Sequence, residues 1–178
     1  MTEKIAVVTG ANRGLGLATA QALAERAYRV LMLGRDESRI RDAAAPLQAR
    51  GLDVEPHVVD VTDGEGVDAF ARSLEERFDH VEVLINNAGA FFESRNPAEP
   101  AAATALEVHP EVVVRTLEVN ALGALRMSQA LAPLLRRSSA GRIVNVSSGM
   151  GALEDMGGSW PGYRISKTAL NAMTRILA

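Results

Sequence analysis

Apolar residues follow two rhythms along the chain. Short runs recur at KIAVVT (4–9), RVLML (29–33), DVEPHVV (53–59), VEVLIN (81–86) and RIVNVS (142–147), each of strand length. The first, second, fourth and fifth are apolar at nearly successive positions, the pattern of strands covered on both faces. Between the runs apolar residues recur at helical spacing, which predicts helices over 14–27, 37–50, 64–78 and 111–137. In the third of these, Val67, Phe70, Ala71, Leu74 and Phe78 make one stripe, and Asp63 stands where an N-cap belongs. The alternation predicts an α/β fold, a βαβ series with a parallel sheet and helices on both faces. Pro46 and Pro133 fall inside two of the helices and are expected to kink or bound them. The stretch FFESRNPAEPAAATALEVHP (91–110) has no clear period before Pro110; it reads as a connection with room for one short helix, and Pro110 suits the first turn of the long helix. No repeat or linker divides the chain, so a single domain over 1–178 is expected.

Composition narrows the function classes. At 178 residues and 47% hydrophobic content there is enough apolar mass for a filled core. A net charge of −3 with basic residues scattered among acids argues against nucleic acid as a partner. The absence of cysteine excludes a disulfide framework, a thiolate metal site and a cysteine nucleophile. His57, His80 and His109 are far apart, match no metal-ligand spacing and read as surface or loop residues, so no metal site is expected. The apolar run in MTEKIAVVTG is too short for a signal sequence or a membrane span. A soluble, cytoplasmic protein without membrane contact is the expectation.

The first strand runs into TGANRGLG (9–16) and then directly into a helix. Glycines there let the backbone turn sharply and approach a ligand, while the helix N-terminus offers free N–H groups to a phosphate. The spacing of Gly10, Gly14 and Gly16 is not G-x-G-x-x-G, so a pyrophosphate site and a mere packing turn both remain open on the loop alone. Two charges discriminate. Arg13 lies inside the loop and Arg35 follows the second strand, where two guanidiniums could clamp a 2′-phosphate; this favours NADP(H) over NAD(H), unless Arg35 is simply solvated and Asp36 caps the next helix.

Polar residues gather where an open parallel sheet borders its ligand crevice: Asn86 and Asn87 end the fourth strand, Ser147 and Ser148 the fifth. Asn120 falls within or beside the apolar stripe of the long helix, where its amide must either tie down a kink or serve a site. In YRISK, Tyr163 and Lys167 stand one helical turn apart on one face. A phenol exchanges protons poorly at neutral pH, and a neighbouring cation favours its ionised form, so the pair suits acid/base work.

With TGANRGLG, NNAG, VNVSS and YRISK in this order, the sequence resembles the short-chain dehydrogenase/reductase family over residues 4–178 and looks most like its NADP(H)-dependent carbonyl reductases. The resemblance implies a doubly wound, Rossmann-type parallel sheet and hydride transfer between NADP(H) and a small carbonyl or alcohol substrate. It implies that Tyr163 exchanges the proton, that Lys167 lowers the phenol pKa and binds the nicotinamide ribose, that Ser148 holds the substrate oxygen, and that Asn120 holds a water of a proton relay. Gly10, Asn12, Arg13, Gly14, Leu15, Gly16 and Arg35 would contact the phosphates, Asp60 and Val61 the adenine, and Asn87, Ala88 and Gly89 its ribose and the nicotinamide side. Met150, Met156 and Trp160, with Phe91 or Phe92, either wall an apolar substrate pocket or are loop residues packing on the core. Small apolar residues such as Ala169 and Ala172 suggest a homodimer or homotetramer. The family fold continues into two further strands that are missing from this chain, and TRILA ends within an apolar helical stretch. The expectation is therefore a C-terminally incomplete domain, with little or no activity for a chain ending at Ala178. A non-catalytic NADP(H)-binding protein and, less favoured, a sugar-nucleotide epimerase or dehydratase are the competing readings.

Overall fold

β1 (Lys4–Thr9) forms the centre of a five-stranded sheet of order β3-β2-β1-β4-β5, with β2 at Tyr28–Gly34, β3 at Val54–Val58, β4 at Val83–Asn86 and β5 at Arg142–Asn145. In this computed structural model, which describes residues 4–93 and 104–178, β1 runs parallel to both neighbours, Ala6 lying opposite Val30 and Val83. Strand order reverses between β1 and β4, the switch point where doubly wound sheets leave a crevice outside their carboxyl ends. β1 is buried from Ile5 to Thr9 and β2 from Val30 to Gly34, as their unbroken apolar runs require. β3 is an edge strand, and it tolerates Pro56, opposite Met32, because an edge needs hydrogen bonds on one side only.

The other edge is β5. β5 ends at Asn145, so Ser147 and Ser148 lie in the turn beyond it, and Val144 is 43% exposed. This apolar run is therefore not covered on both faces, unlike those of β1 and β2. His57 likewise is no loop residue: it sits half-buried on β3 with its ring edge against Phe70, and burial lowers its pKa.

The helices are α1 (Gly14–Ala24), α2 (Glu37–Ala49), α3 (Gly64–Glu75), α4 (Pro110–Leu117), α5 (Gly123–Arg137) and α6 (Pro161–Leu177). α3 buries the expected Val67, Phe70, Ala71 and Leu74, but Asp63 makes no side-chain cap and Phe78 lies past the helix end. Neither proline bounds its helix: α2 runs through Pro46 and α5 through Pro133. Ala44 and Leu47 in α2, and Leu131 and Leu134 in α5, are buried on both sides of the prolines, and that packing outweighs a break of about 3 kcal/mol. The single helix expected over 111–137 is instead α4 and α5 joined by a π-helical turn, Glu118–Leu122. The short helix allowed within 91–110 concerns residues 94–103, which lie outside those described.

By packing the chain forms two units interleaved in sequence, Met1–Ala88 with Arg126–Val144, and Gly89–Leu125 with Asn145–Ala178. The first holds the strands β1 to β4 and the largest apolar side chains of the core, among them Leu31, Met32, Leu33, Leu74 and Leu84. The second holds α4, the π turn and α6.

Candidate active site

In the first unit the loop after β1 carries Gly10 and Gly14 at φ +63° and +54°, values that L side chains rarely adopt. A Cβ on Gly10 would lie 2.9 Å from Ala88 Cα, and one on Gly16 would lie 2.3 Å from the Gly10 oxygen. A Cβ on Gly14, by contrast, would meet nothing within 4 Å, so the loop is open there. Asn87 and Thr9 hold this shape. Asn87 Nδ2 donates to the Thr9 and Gly10 carbonyls at 2.9 and 3.1 Å, and Thr9 Oγ1 accepts from the N–H groups of Asn87 and Ala88 at 3.0 and 2.9 Å. Asn87 thus serves the loop's backbone, which the resemblance had not implied. Thr9 was missed altogether; its signal is a buried polar residue closing an apolar run.

α1 begins without a side-chain cap, leaving N–H groups of its first turn for a ligand. Arg13 and Leu15 are exposed beside it and Asn12 is half-buried. The Ala11 N–H donates to the Leu33 carbonyl, and the Val59 N–H to that of Gly34, so the ends of β1, β2 and β3 line up on one edge. Arg35 is exposed on that edge, and Asp36 is indeed a helix cap, accepting from the Arg39 N–H at 3.0 Å; that bond is the main cause of its lowered pKa. Asp60 Oδ1 accepts from the N–H and Oγ1 of Thr62, fixing the turn after β3, and Val61 is buried next to it.

In the second unit α6 brings Tyr163 and Lys167 together as the spacing predicts, Lys167 Nζ lying 5.8 Å from the centre of the Tyr163 ring. Lys167 is only 5% exposed, and its Nζ donates to the Val146 carbonyl at 2.8 Å. Burial holds its pKa below the usual lysine value, because one carbonyl dipole replaces water poorly around an ammonium. Ser148 opens the turn Gly149–Gly151 and accepts from the Met150 N–H at 3.2 Å. That turn lies hard against α6: a Cβ on Gly151 would be 2.7 Å from the Lys167 carbonyl carbon. Its carbonyl accepts from Thr168 Oγ1 and Asn171 Nδ2, and Ser147 Oγ donates to Asn171 Oδ1 at 2.6 Å. Thr168 and Asn171 are therefore braces of the Ser148 turn that sequence reading did not single out.

Asn120 ties down the break in the long helix. Its Nδ2 donates to the Ala90 carbonyl and to Ser166 Oγ, both at 3.0 Å, and its Oδ1 accepts from the Ala90 N–H at 2.7 Å. Those bonds stabilise the π turn, where one extra residue per turn would otherwise leave weaker helix bonds. Of the residues expected to wall a substrate pocket, Phe91 lies between Trp160 and Tyr163, with ring centres 5.8 and 5.0 Å away. Phe92 lies instead under the Arg115 guanidinium, while Met150 is half-buried, and Met156 and Gly89 are exposed. Trp160 takes a left-handed backbone, φ 56° and ψ 53°, immediately before α6. Among the described residues no cluster of His, Asp and Glu is placed to hold a metal ion, and no helix is long and apolar enough to cross a membrane.

Comparison with known proteins fits this geometry. The short chain dehydrogenase family profile matches residues 4–178. The chain is 35% identical over 190 residues to the short-chain dehydrogenase anuI of Penicillium roqueforti, covering 99% of this chain and 72% of that one. It is 34% identical over 155 residues to carbonyl reductase [NADPH] 3 of Mus musculus, covering 85% of this chain and 52% of the other. A solved structure described as a short chain dehydrogenase of Escherichia coli CFT073 complexed with NADPH superposes with a TM-score of 0.87 at 27% identity, over 99% of this chain and 71% of that one. Five strands in a Rossmann-type order, a glycine turn entering α1, and the Tyr163 and Lys167 pair on α6 accompany a profile match that spans nearly every residue, and the chain belongs to the short chain dehydrogenase family of oxidoreductases.

Proposed function

We propose that this chain is an NADPH-dependent reductase of carbonyl compounds, reversible toward the alcohol, acting as one dinucleotide-binding and catalytic domain. The burial of Lys167 one turn from Tyr163 carries this reading. A protein that only bound nucleotide would have no need to desolvate an ammonium beside a phenol, an arrangement that costs stability.

NADPH, when bound, supplies the hydride. The residues present fit it: an open loop at Gly14, a helix start with unclaimed N–H groups for the phosphates, and Arg13 and Arg35 for a 2′-phosphate. Asn12, Leu15, Gly16 and Gly10 would shape the phosphate cradle, Asp60 and Val61 the adenine contact, and Asn87, Ala88 and Gly89 the path toward the nicotinamide. Tyr163 gives its hydroxyl proton to the carbonyl oxygen as the alcohol forms and recovers it from solvent. Lys167 favours the phenolate left behind and binds the ribose, Ser148 orients the oxygen, and Asn120 supports the relay behind Lys167. The aromatic group of Phe91 and Trp160 beside Tyr163, with Met150, favours an apolar ketone, aldehyde or quinone. Exposed Val114 on α4, and Ile165 and Ile176 on α6, support a homodimer or homotetramer, and the cysteine-free composition supports a cytoplasmic location.

The test is NADPH oxidation over a panel of carbonyl compounds with protein of verified intact mass, against Tyr163→Phe. Turnover is expected for a parent that carries the two further strands of the family fold, and a loss of about 10²–10⁴ for the variant, the usual contribution of a positioned proton donor. If both bind NADPH and neither turns anything over, the chain is a nucleotide binder and the reading fails.

A further inference from the structure

The first turn of α6 is capped from far away. Pro161 opens the helix and has no N–H, and Trp160 before it is left-handed and offers no side-chain bond. The first unclaimed donors are therefore the N–H groups of Gly162 and of Tyr163 itself. Both go to one carboxylate: Gly162 donates to Glu93 Oε1 and Tyr163 to Glu93 Oε2, each at 2.9 Å, across 69 and 70 residues of sequence. An anion at this place also meets the positive end of the helix dipole. Space at the contact is tight, since a Cβ on Gly162 would lie 3.4 Å from the Glu93 carboxyl carbon and 3.3 Å from Val113 Cα.

The three residues before Glu93 are each held in place. Ala90 is bound through both its backbone groups to Asn120, Phe91 packs between Trp160 and Tyr163, and Phe92 lies against Arg115. Residues 90–93 thus form a strut from the π turn to the first turn of α6.

We infer that Glu93 is a positioning residue: its carboxylate fixes where α6 begins and so fixes the Tyr163 hydroxyl relative to Lys167. Its functional consequence rests on the reductase reading, whereas its structural part does not. Glutamine keeps the size of the side chain but presents a single oxygen, with an NH₂ facing the second donor, so Glu93→Gln weakens the cap without opening a cavity.

Amide hydrogen exchange on the parent, Glu93→Gln and Glu93→Ala separates the two parts. Exchange at Gly162 and Tyr163 is expected to accelerate by about tenfold or more in Glu93→Ala and by less in Glu93→Gln, the scale of a lost charge-assisted bond, with β1 and β2 unchanged. Turnover per NADPH-binding site is expected to fall by about tenfold in Glu93→Ala, with KM for NADPH within about twofold and a larger isotope effect from deuterated NADPH, which a mere loss of folded protein would not produce. Unchanged exchange at Gly162 and Tyr163 overturns the inference whether or not the parent turns over. Accelerated exchange with unchanged turnover and isotope effect overturns the positioning role and leaves a plain helix cap. A parent that turns nothing over counts against the reductase reading, and the exchange result still decides the cap.

Discussion

In the unit that holds the glycine loop, the groups offered to a ligand belong mostly to the main chain: N–H groups at the start of α1, exposed by glycines and held in shape by Asn87 and Thr9. In the unit that holds α6 they are side chains, and each is placed at some cost: Lys167 buried on a single carbonyl, Trp160 left-handed, a π turn braced by Asn120. The contrast follows from the two tasks. Binding a phosphate asks for many weak dipoles aimed at one point, which a sharp turn supplies. Supporting a proton donor asks for one charge held beside it, here Lys167, and burying that charge destabilises the fold.

Lys167→Met tests that contrast most severely. Turnover is expected to fall by about 10²–10⁴, as for loss of a group that tunes the acid. Stability is expected to rise, by about 0.5–2 kcal/mol, in the manner of functional residues replaced by packing ones. The gain has a pH signature. The folded-state pKa of Lys167 lies below the unfolded value, so between the two the unfolded chain binds more protons and the parent gains stability as pH rises; below both, the cost is fully present. The variant lacks this slope, and its advantage in urea unfolding should shrink from pH 7 toward pH 10. An advantage that stayed constant or widened would mean Lys167 is not held at a cost.

Gly16→Val challenges the other side. Its new side chain meets the Gly10 oxygen and Asn87 Nδ2 at 2.3 and 2.4 Å, and a backbone oxygen cannot yield. A loss of about 1–3 kcal/mol in stability is expected, together with loss of measurable NADPH binding by fluorescence titration. Normal binding would show that loop shape matters less than the arginines.

The smallest effect compares two strained residues. Ala27, φ 61° in the exposed turn after α1, and Trp160 are the non-glycine residues with left-handed backbone among those described. Ala27→Gly should raise the melting free energy by about 1 kcal/mol and leave turnover alone, since the strain there serves no site. Trp160→Gly relieves the same strain but removes the ring against Phe91, so turnover should fall even if stability does not. Equal behaviour of the two would erase the distinction between incidental and functional strain.

Much of this was readable from residue order because it is local. Five apolar runs gave five strands within one or two residues at most ends, the glycine spacing gave the turn, and the four-residue interval gave the Tyr163 and Lys167 pair. What escaped depends on partners far off in the chain. The π turn at Glu118–Leu122 has an ordinary helical period, and its break comes from Asn120 reaching Ala90 and Ser166. Glu93 reads as one more acid in a loop until α6 arrives without a cap. For the opposite reason Pro46 and Pro133 do not end their helices, since packing on both sides overrode a strong local preference.

Pro56 has a meaning beyond local tolerance. Placed in the middle of β3, it leaves the outer rim of the sheet without a continuous row of N–H donors. A strand from another copy, or from a half-folded chain at high concentration, finds its pairing interrupted there, so intermolecular sheet growth and the aggregation it seeds are blocked on that flank by one ring.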